Sequence, residues 1–168
     1  MASKSASRRS TGESQPPATD ADGDRDGLGR AVGLGARGGL VATVAMTAFR
    51  MPISESPPPT GALWAKVLGG EPDDHHVLNL VLHLLYGMGA ATAFAAWFQG
   101  RVTGRTVTDE RRGVAAGALY GLGLSAFGSR VILGRLLGMD LQSDERFVFA
   151  VGHLIYGITL GAWLGSNA

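Results

Sequence analysis

Two histidines, His83 and His153, stand in matching pentapeptides, His83-Leu84-Leu85-Tyr86-Gly87 and His153-Leu154-Ile155-Tyr156-Gly157, and each lies inside a long apolar stretch. Imidazole titrates near neutrality and is the commonest metal ligand, so a pair of them in apolar surroundings offers three kinds of chemistry. These are axial ligation of a b-type haem, a proton or polar-solute relay, and ligation of a metal ion. A fourth reading needs no chemistry: neutral imidazoles hydrogen-bonded between helices to Tyr86, Tyr156, Asn79 or a backbone carbonyl. That reading is weighed first, the relay second, haem or metal last. Haem ranks low because two imidazoles leave its propionates in need of cations, a part open to Arg50 and Arg130.

Other side chains carry less. The cluster Glu71, Asp73, Asp74, His75 and His76 has metal-competent groups, but neighbours along one element point apart, and it reads as a solvated acidic entrance. Ser125 and Ser129 have no acid–base partner at a recognisable spacing, and Gly33, Gly35 and Gly38 lack the lysine of a phosphate loop. The absence of cysteine removes disulfides, thiolate metal sites and cysteine nucleophiles. No enzyme is expected, and no cofactor beyond the low-ranked haem.

The elements that hold the histidines are apolar spans. Residues 77–98 run for twenty-two positions without a formal charge. A bilayer core of about 30 Å needs roughly 20 apolar residues at helical rise, and a soluble helix of that length would show a charged face. The expected fold class is therefore all-α: a polytopic membrane protein with four transmembrane helices at about 32–53, 77–98, 113–134 and 147–165, within a domain covering 31–168. In the first span the uninterrupted apolar part is only 38–49, about 18 Å of helix, so Arg37 and Arg50 must snorkel to opposite interfaces. Pro52 and Pro57-Pro58-Pro59 then end it, and residues 60–68, with Trp64 and Lys66, read as a short interfacial helix. The third span is read as continuing in helical form past Arg130 toward Leu137. Residues 1–30 are rich in Ser, Thr, Asp, Gly and Pro and read as a disordered tail; Arg8-Arg9 lies too far from an apolar segment for a twin-arginine signal.

Composition agrees. Glycine fills 26 of 168 positions, well above the soluble average of about 7%, and small residues are what let helices associate in lipid. The net charge is +1, with no basic stripe to suggest a nucleic-acid partner. Six basic residues lie in the segment through Arg37 and four in 99–112, against five at the other ends of the spans (Arg50, Lys66, Arg130, Arg135, Arg146). By the positive-inside rule this places both termini of a multi-pass plasma-membrane protein in the cytoplasm.

The chain also reads as an internal repeat of one two-helix unit. Residues 39–49 align with 117–127, 66–71 with 135–140, and Asp74 through Gly87 with Asp144 through Gly157, at offsets of 78, 69 and 70. The jump falls at the proline-rich connection. A unit that crosses twice enters both times from the same side, so the two copies relate by an axis along the membrane normal and the histidines sit at matching depth, about 10 Å inside. Steps of four carry Gly157, Gly161 and Gly165 after His153, Gly87, Ala91 and Ala95 after His83, Gly113, Gly117, Gly121 and Ser125 on the third span, and Gly35, Gly39, Thr43 and Thr47 on the first. These glycine-zipper stripes should be the packed faces. The lipid bilayer is the expected partner, with a homodimer suggested by the glycine faces.

The first span Gly39-Leu40-Val41-Ala42-Thr43-Val44-Ala45-Met46-Thr47, the proline-rich loop before Leu63-Trp64, and the repeated His-Leu-x-Tyr-Gly resemble small uncharacterised prokaryotic four-helix membrane proteins. These include the YagU-like inner-membrane family and similar short proteins of halophilic archaea. The resemblance covers roughly 39–165. It implies a membrane protein without an established biochemical role and carries over no catalytic residue.

Overall fold

The computed structural model describes residues 20–53, 63, 65–67, 69–71, 76–99 and 107–167. Among them there is no strand; the helices are α1 (Asp20–Arg50), α2 (His76–Gln99), α3 (Val107–Phe127), which runs on as a π-helical segment (Gly128–Leu137), and α4 (Ser143–Asn167). Four stretches of helix are long and apolar enough to cross a bilayer: Gly27–Arg50, Val77–Phe98, Val107–Leu137 and Ser143–Asn167. The protein is an all-α, four-span membrane protein. Its outer surface agrees, with Val44 54%, Leu85 57% and Leu119 72% exposed, a surround that water would not tolerate.

Helix ends depart from the composition-based bounds in ways that have local causes. Where a tail is expected to Arg30, helix already begins at Asp20, and residues 1–19 lie outside the described residues. The extension lengthens the first span to 24 residues, about 36 Å, so it no longer depends on a twelve-residue core. It stops at Arg50; residues 51–53, with Pro52, form a turn. The third span starts six residues ahead of Gly113, with Asp109 and Glu110 in its first turn. It ends on Gly138 at φ 68°, whose N–H and that of Met139 close on the carbonyls of Gly134 and Leu133 at 3.1 and 2.8 Å. At the start of α4, Glu145 Oε2 accepts from the Gln142 N–H at 3.2 Å, one half of a capping box. Of the expected interfacial helix, Leu63 and 65–67 are helical, the rest lying outside the described residues; Lys66 Nζ donates to the carbonyl of Leu136 at 2.5 Å, tying this connection to the π segment.

Packing follows the small-residue stripes. In α3 and α4 a Cβ added at Gly113 would strike the Gly161 carbonyl, one at Gly117 the Gly157 carbonyl, and one at Gly121 the His153 carbonyl. In α1 and α2 an added Cβ at Gly35 would lie 2.6 Å from Thr92 Cα and 2.9 Å from Ala95 Cβ, one at Gly39 2.6 Å from Ala91 Cβ, and one at Gly87 against Thr43. The two interfaces correspond: positions 78 apart on α1 and α3 meet positions 70 apart on α2 and α4. The small-residue stripes expected to be the packed faces meet one another within one chain. Gly27, Gly29, Gly33, Gly89 and Gly123 are helical glycines left with open space.

The hairpins join through α1 and α4, where Gly38 seats Trp163 and Leu160, and Gly152 lies against Met46 and Arg50. On the far flank α2 and α3 meet through side chains. Tyr120 donates to the Ala90 carbonyl at 2.8 Å, and its ring stacks on Phe94 with centroids 4.7 Å apart. The positions offset from Gly38 and Gly152 carry the bulkier Ala116 and Leu82.

Candidate functional site

The end of the bundle that bears Arg50 contains a chamber of about 250 Å³. Each helix positions part of its wall: Met46 and Arg50 from α1, Leu82, His83, Tyr86 and Gly87 from α2, Leu124, Gly128, Ile132 and Leu133 from α3 and its π segment, and Phe149, His153 and Tyr156 from α4, with Leu63 from the connection. The stripe residues next to each histidine are buried, and this turns both imidazoles inward.

Ten of these fourteen lining residues fall into offset pairs: Met46 with Leu124, Arg50 with Gly128, Leu63 with Ile132, His83 with His153, and Tyr86 with Tyr156. The two hairpins thus contribute residues at the same sequence offsets to one space. They differ most at Arg50 and the offset position Gly128, a cation in one hairpin and a glycine packed against the Phe149 ring in the other.

His153 is buried, and its Nδ1 lies 2.9 Å from the Phe149 carbonyl. A carbonyl only accepts, so the neutral ring carries its proton on Nδ1 and leaves Nε2 as the acceptor. Phe149 links the polar groups: its ring centroid is 4.3 Å from that of His153 and 5.9 Å from the Arg50 guanidinium carbon. Arg50 is within electrostatic reach of both imidazoles and of Glu145.

The expected partners of the imidazoles are distributed otherwise. Tyr156 donates its hydroxyl to the Gly87 carbonyl at 2.6 Å, bridging α4 to α2 and not reaching a histidine. Tyr86 lines the chamber but is half exposed. Asn79 is buried at 2% exposure one turn before His83, outside the chamber, and Arg130 is exposed and also outside it. In the acidic cluster, Glu71 is exposed and 72–75 lie outside the described residues. Phe149, Gly128, Ile132 and Leu133 escaped the sequence reading. The four-residue step from Phe149 to His153 was the available signal for the first. The others depend on π-helical i→i+5 bonding, which brings Gly128 and Leu133 to one side.

The Tyr156 bridge yields a direct prediction. Tyr156→Phe leaves a buried carbonyl without its donor and should lower stability by about 1 kcal/mol in detergent unfolding, whereas half-exposed Tyr86→Phe should stay within about 0.5 kcal/mol.

Away from Arg50 the bundle closes. Ala42, Ala91, Ala95 and Leu160 are fully buried and Leu164 nearly so, and the glycine contacts of α3 with α4 leave backbone against backbone. The chamber is therefore one-ended. No protein-family model, curated protein or solved structure matches the chain.

Proposed function

We propose that this is a non-catalytic membrane protein that holds a small molecule in a chamber between two copies of one helical hairpin. The carrying observation is that ten of fourteen lining residues are offset pairs, as expected of a pocket on a pseudo-two-fold axis along the membrane normal. A largely apolar wall with a few convergent polar groups is the usual make-up of a small-molecule site. The buried layer around Ala42, Leu160 and Leu164 supports a pocket over a conduit for solutes or protons. With basic residues weighted toward the termini and residues 99–112, both termini lie in the cytoplasm of a plasma-membrane protein, and the chamber opens toward the outer face.

The natural absence of cysteine makes the test clean. Single variants Tyr86→Cys and Leu124→Cys should react with a small membrane-impermeant thiol reagent added outside intact cells. Ala42→Cys and Leu164→Cys should react from neither face. Equal labelling of the chamber positions from both faces would mean a conduit, and no labelling there would remove the pocket.

A further inference from the structure

One ring nitrogen of His153 is committed and the other is not. The side chain is only 9% exposed, and its Nδ1 gives its proton to the Phe149 carbonyl at 2.9 Å. Nε2 is left with a lone pair and no proton, and among the described residues no donor reaches it. Nor is it sealed into the packing, as the indole nitrogen of Trp163 is. Because His153 lines the chamber, that lone pair opens onto it. His83, within electrostatic reach of His153, likewise makes no hydrogen bond among the described residues, and a neutral imidazole there keeps one N–H to give.

An occupant of this space must therefore donate. Water is held poorly, since it needs two to four polar partners and most of the wall is aliphatic or aromatic. Ketones, esters and carboxylates would set lone pairs against a lone pair, and a carboxylate would also meet Glu145, which is within electrostatic reach of Arg50. A metal cation would meet Arg50 itself, which is in reach of both imidazoles, and the described residues hold no group of three His, Cys, Asp or Glu side chains placed for a metal. A hydroxyl on an apolar body suits both histidines: its proton goes to His153 Nε2, and its oxygen accepts from His83. An indole or pyrrole N–H offers only the first.

We propose that the chamber binds a neutral monocyclic phenol, its hydroxyl donating to His153 Nε2 and its ring set among the aromatic side chains of Tyr86, Phe149 and Tyr156. This deepens the pocket reading above and rests on it. Size agrees, because an apolar cavity of about 150 Å³ takes benzene, and about 250 Å³ admits one substituted ring without room for a fused polycycle. A phenol is preferred to an aliphatic alcohol on two grounds. Its more acidic O–H makes the stronger bond to an imidazole nitrogen, and aromatic side chains favour a ring in offset or edge contact.

The test places the full chain, with 15N-labelled histidine, in phosphatidylcholine nanodiscs and titrates 4-(trifluoromethyl)phenol against empty discs. Saturable 19F broadening is expected, together with a saturable upfield shift of the unprotonated Nε2 resonance that is lost in His153→Phe. The matching anisole, which has no donor, should only partition into lipid, and the matching cyclohexanol should bind at least several-fold more weakly. His153→Phe keeps a flat ring and removes the acceptor, so it should weaken the phenol about fivefold. Leu124→Trp, which adds bulk at the wall and leaves both imidazoles in place, should abolish saturation independently. Equal saturable binding of the anisole or the cyclohexanol, a stationary Nε2 resonance, or unchanged affinity in a folded His153→Phe overturns the proposal. If Tyr86→Cys labels from the outer face yet the phenol never saturates, the ligand class falls and the chamber stands. If the labelling pattern itself fails, the chamber reading falls first.

Discussion

Gly161→Ala forces α3 and α4 apart. A Cβ at 161 would lie on the Gly113 carbonyl oxygen, and no side-chain rotation can relieve a clash with backbone. The helices must separate along their whole glycine stripe, since Gly117 and Gly157 oppose each other in the same way one turn on. We expect a loss of about 1–3 kcal/mol, read as a fall in unfolding midpoint and in the monodisperse fraction in detergent. The same methyl at Gly123, which has open space, should be neutral or stabilising by up to about 1 kcal/mol through helix propensity. If the two variants behaved alike, close backbone approach would not be what holds the second hairpin together.

Leu160→Ala strikes the layer that closes the chamber from below. Leu160 is fully buried and forms one cluster with Ala42, Met46, Ala91, Phe94 and Tyr156, and its Cδ1 sits 3.1 Å from where a Cβ on Gly38 would be. Truncation leaves a void in a layer where α1 and α4 already touch, so the neighbours have little freedom to collapse. A loss of about 2–5 kcal/mol is expected in denaturant or thermal unfolding. In lipid the lost term is mostly packing, because the apolar side chain would be equally at home outside the bundle. A stability within about 0.5 kcal/mol of the parent would mean that this layer is loosely packed and the pocket not closed.

Much of this arrangement is legible in the amino-acid order because the bilayer imposes strong patterns. An uncharged run such as 77–98 has few alternatives to a span, and the structure places Val77–Phe98 as one. Four-residue steps of glycine and alanine mark the packed faces, so the inward turn of His83 and His153 followed from Gly87 and Gly157 beside them. What escaped depends on geometry that a linear period does not carry. The π segment changes which residues share a side, and so Ile132 and Leu133 were not assigned to the site. The start of α1 at Asp20 reflects helix continuation through polar sequence that composition alone marks as tail. The asymmetry between the two flanks was hidden by the likeness of the hairpins. It shows at a few side chains: glycine at 38 and 152 admits close contact between α1 and α4, while the offset positions carry Ala116 and Leu82.

That asymmetry bears on the site as well. Two identical hairpins would place either two cations or two glycines at the mouth of the chamber. Here one hairpin supplies Arg50 and the other Gly128, so the two halves of the chamber differ in charge at one point. Phe149, in contact with both the guanidinium and the His153 ring, ties that point to the imidazole pair.

The most direct measurement is a thiol bridge across the chamber. In membranes carrying the double variant His83→Cys/His153→Cys, a short bifunctional thiol reagent should join the two positions within a single chain, in material that leaves the membrane only with detergent. Bridges formed only between chains, or none although each cysteine reacts singly, would place the two side chains on different faces and contradict a shared chamber.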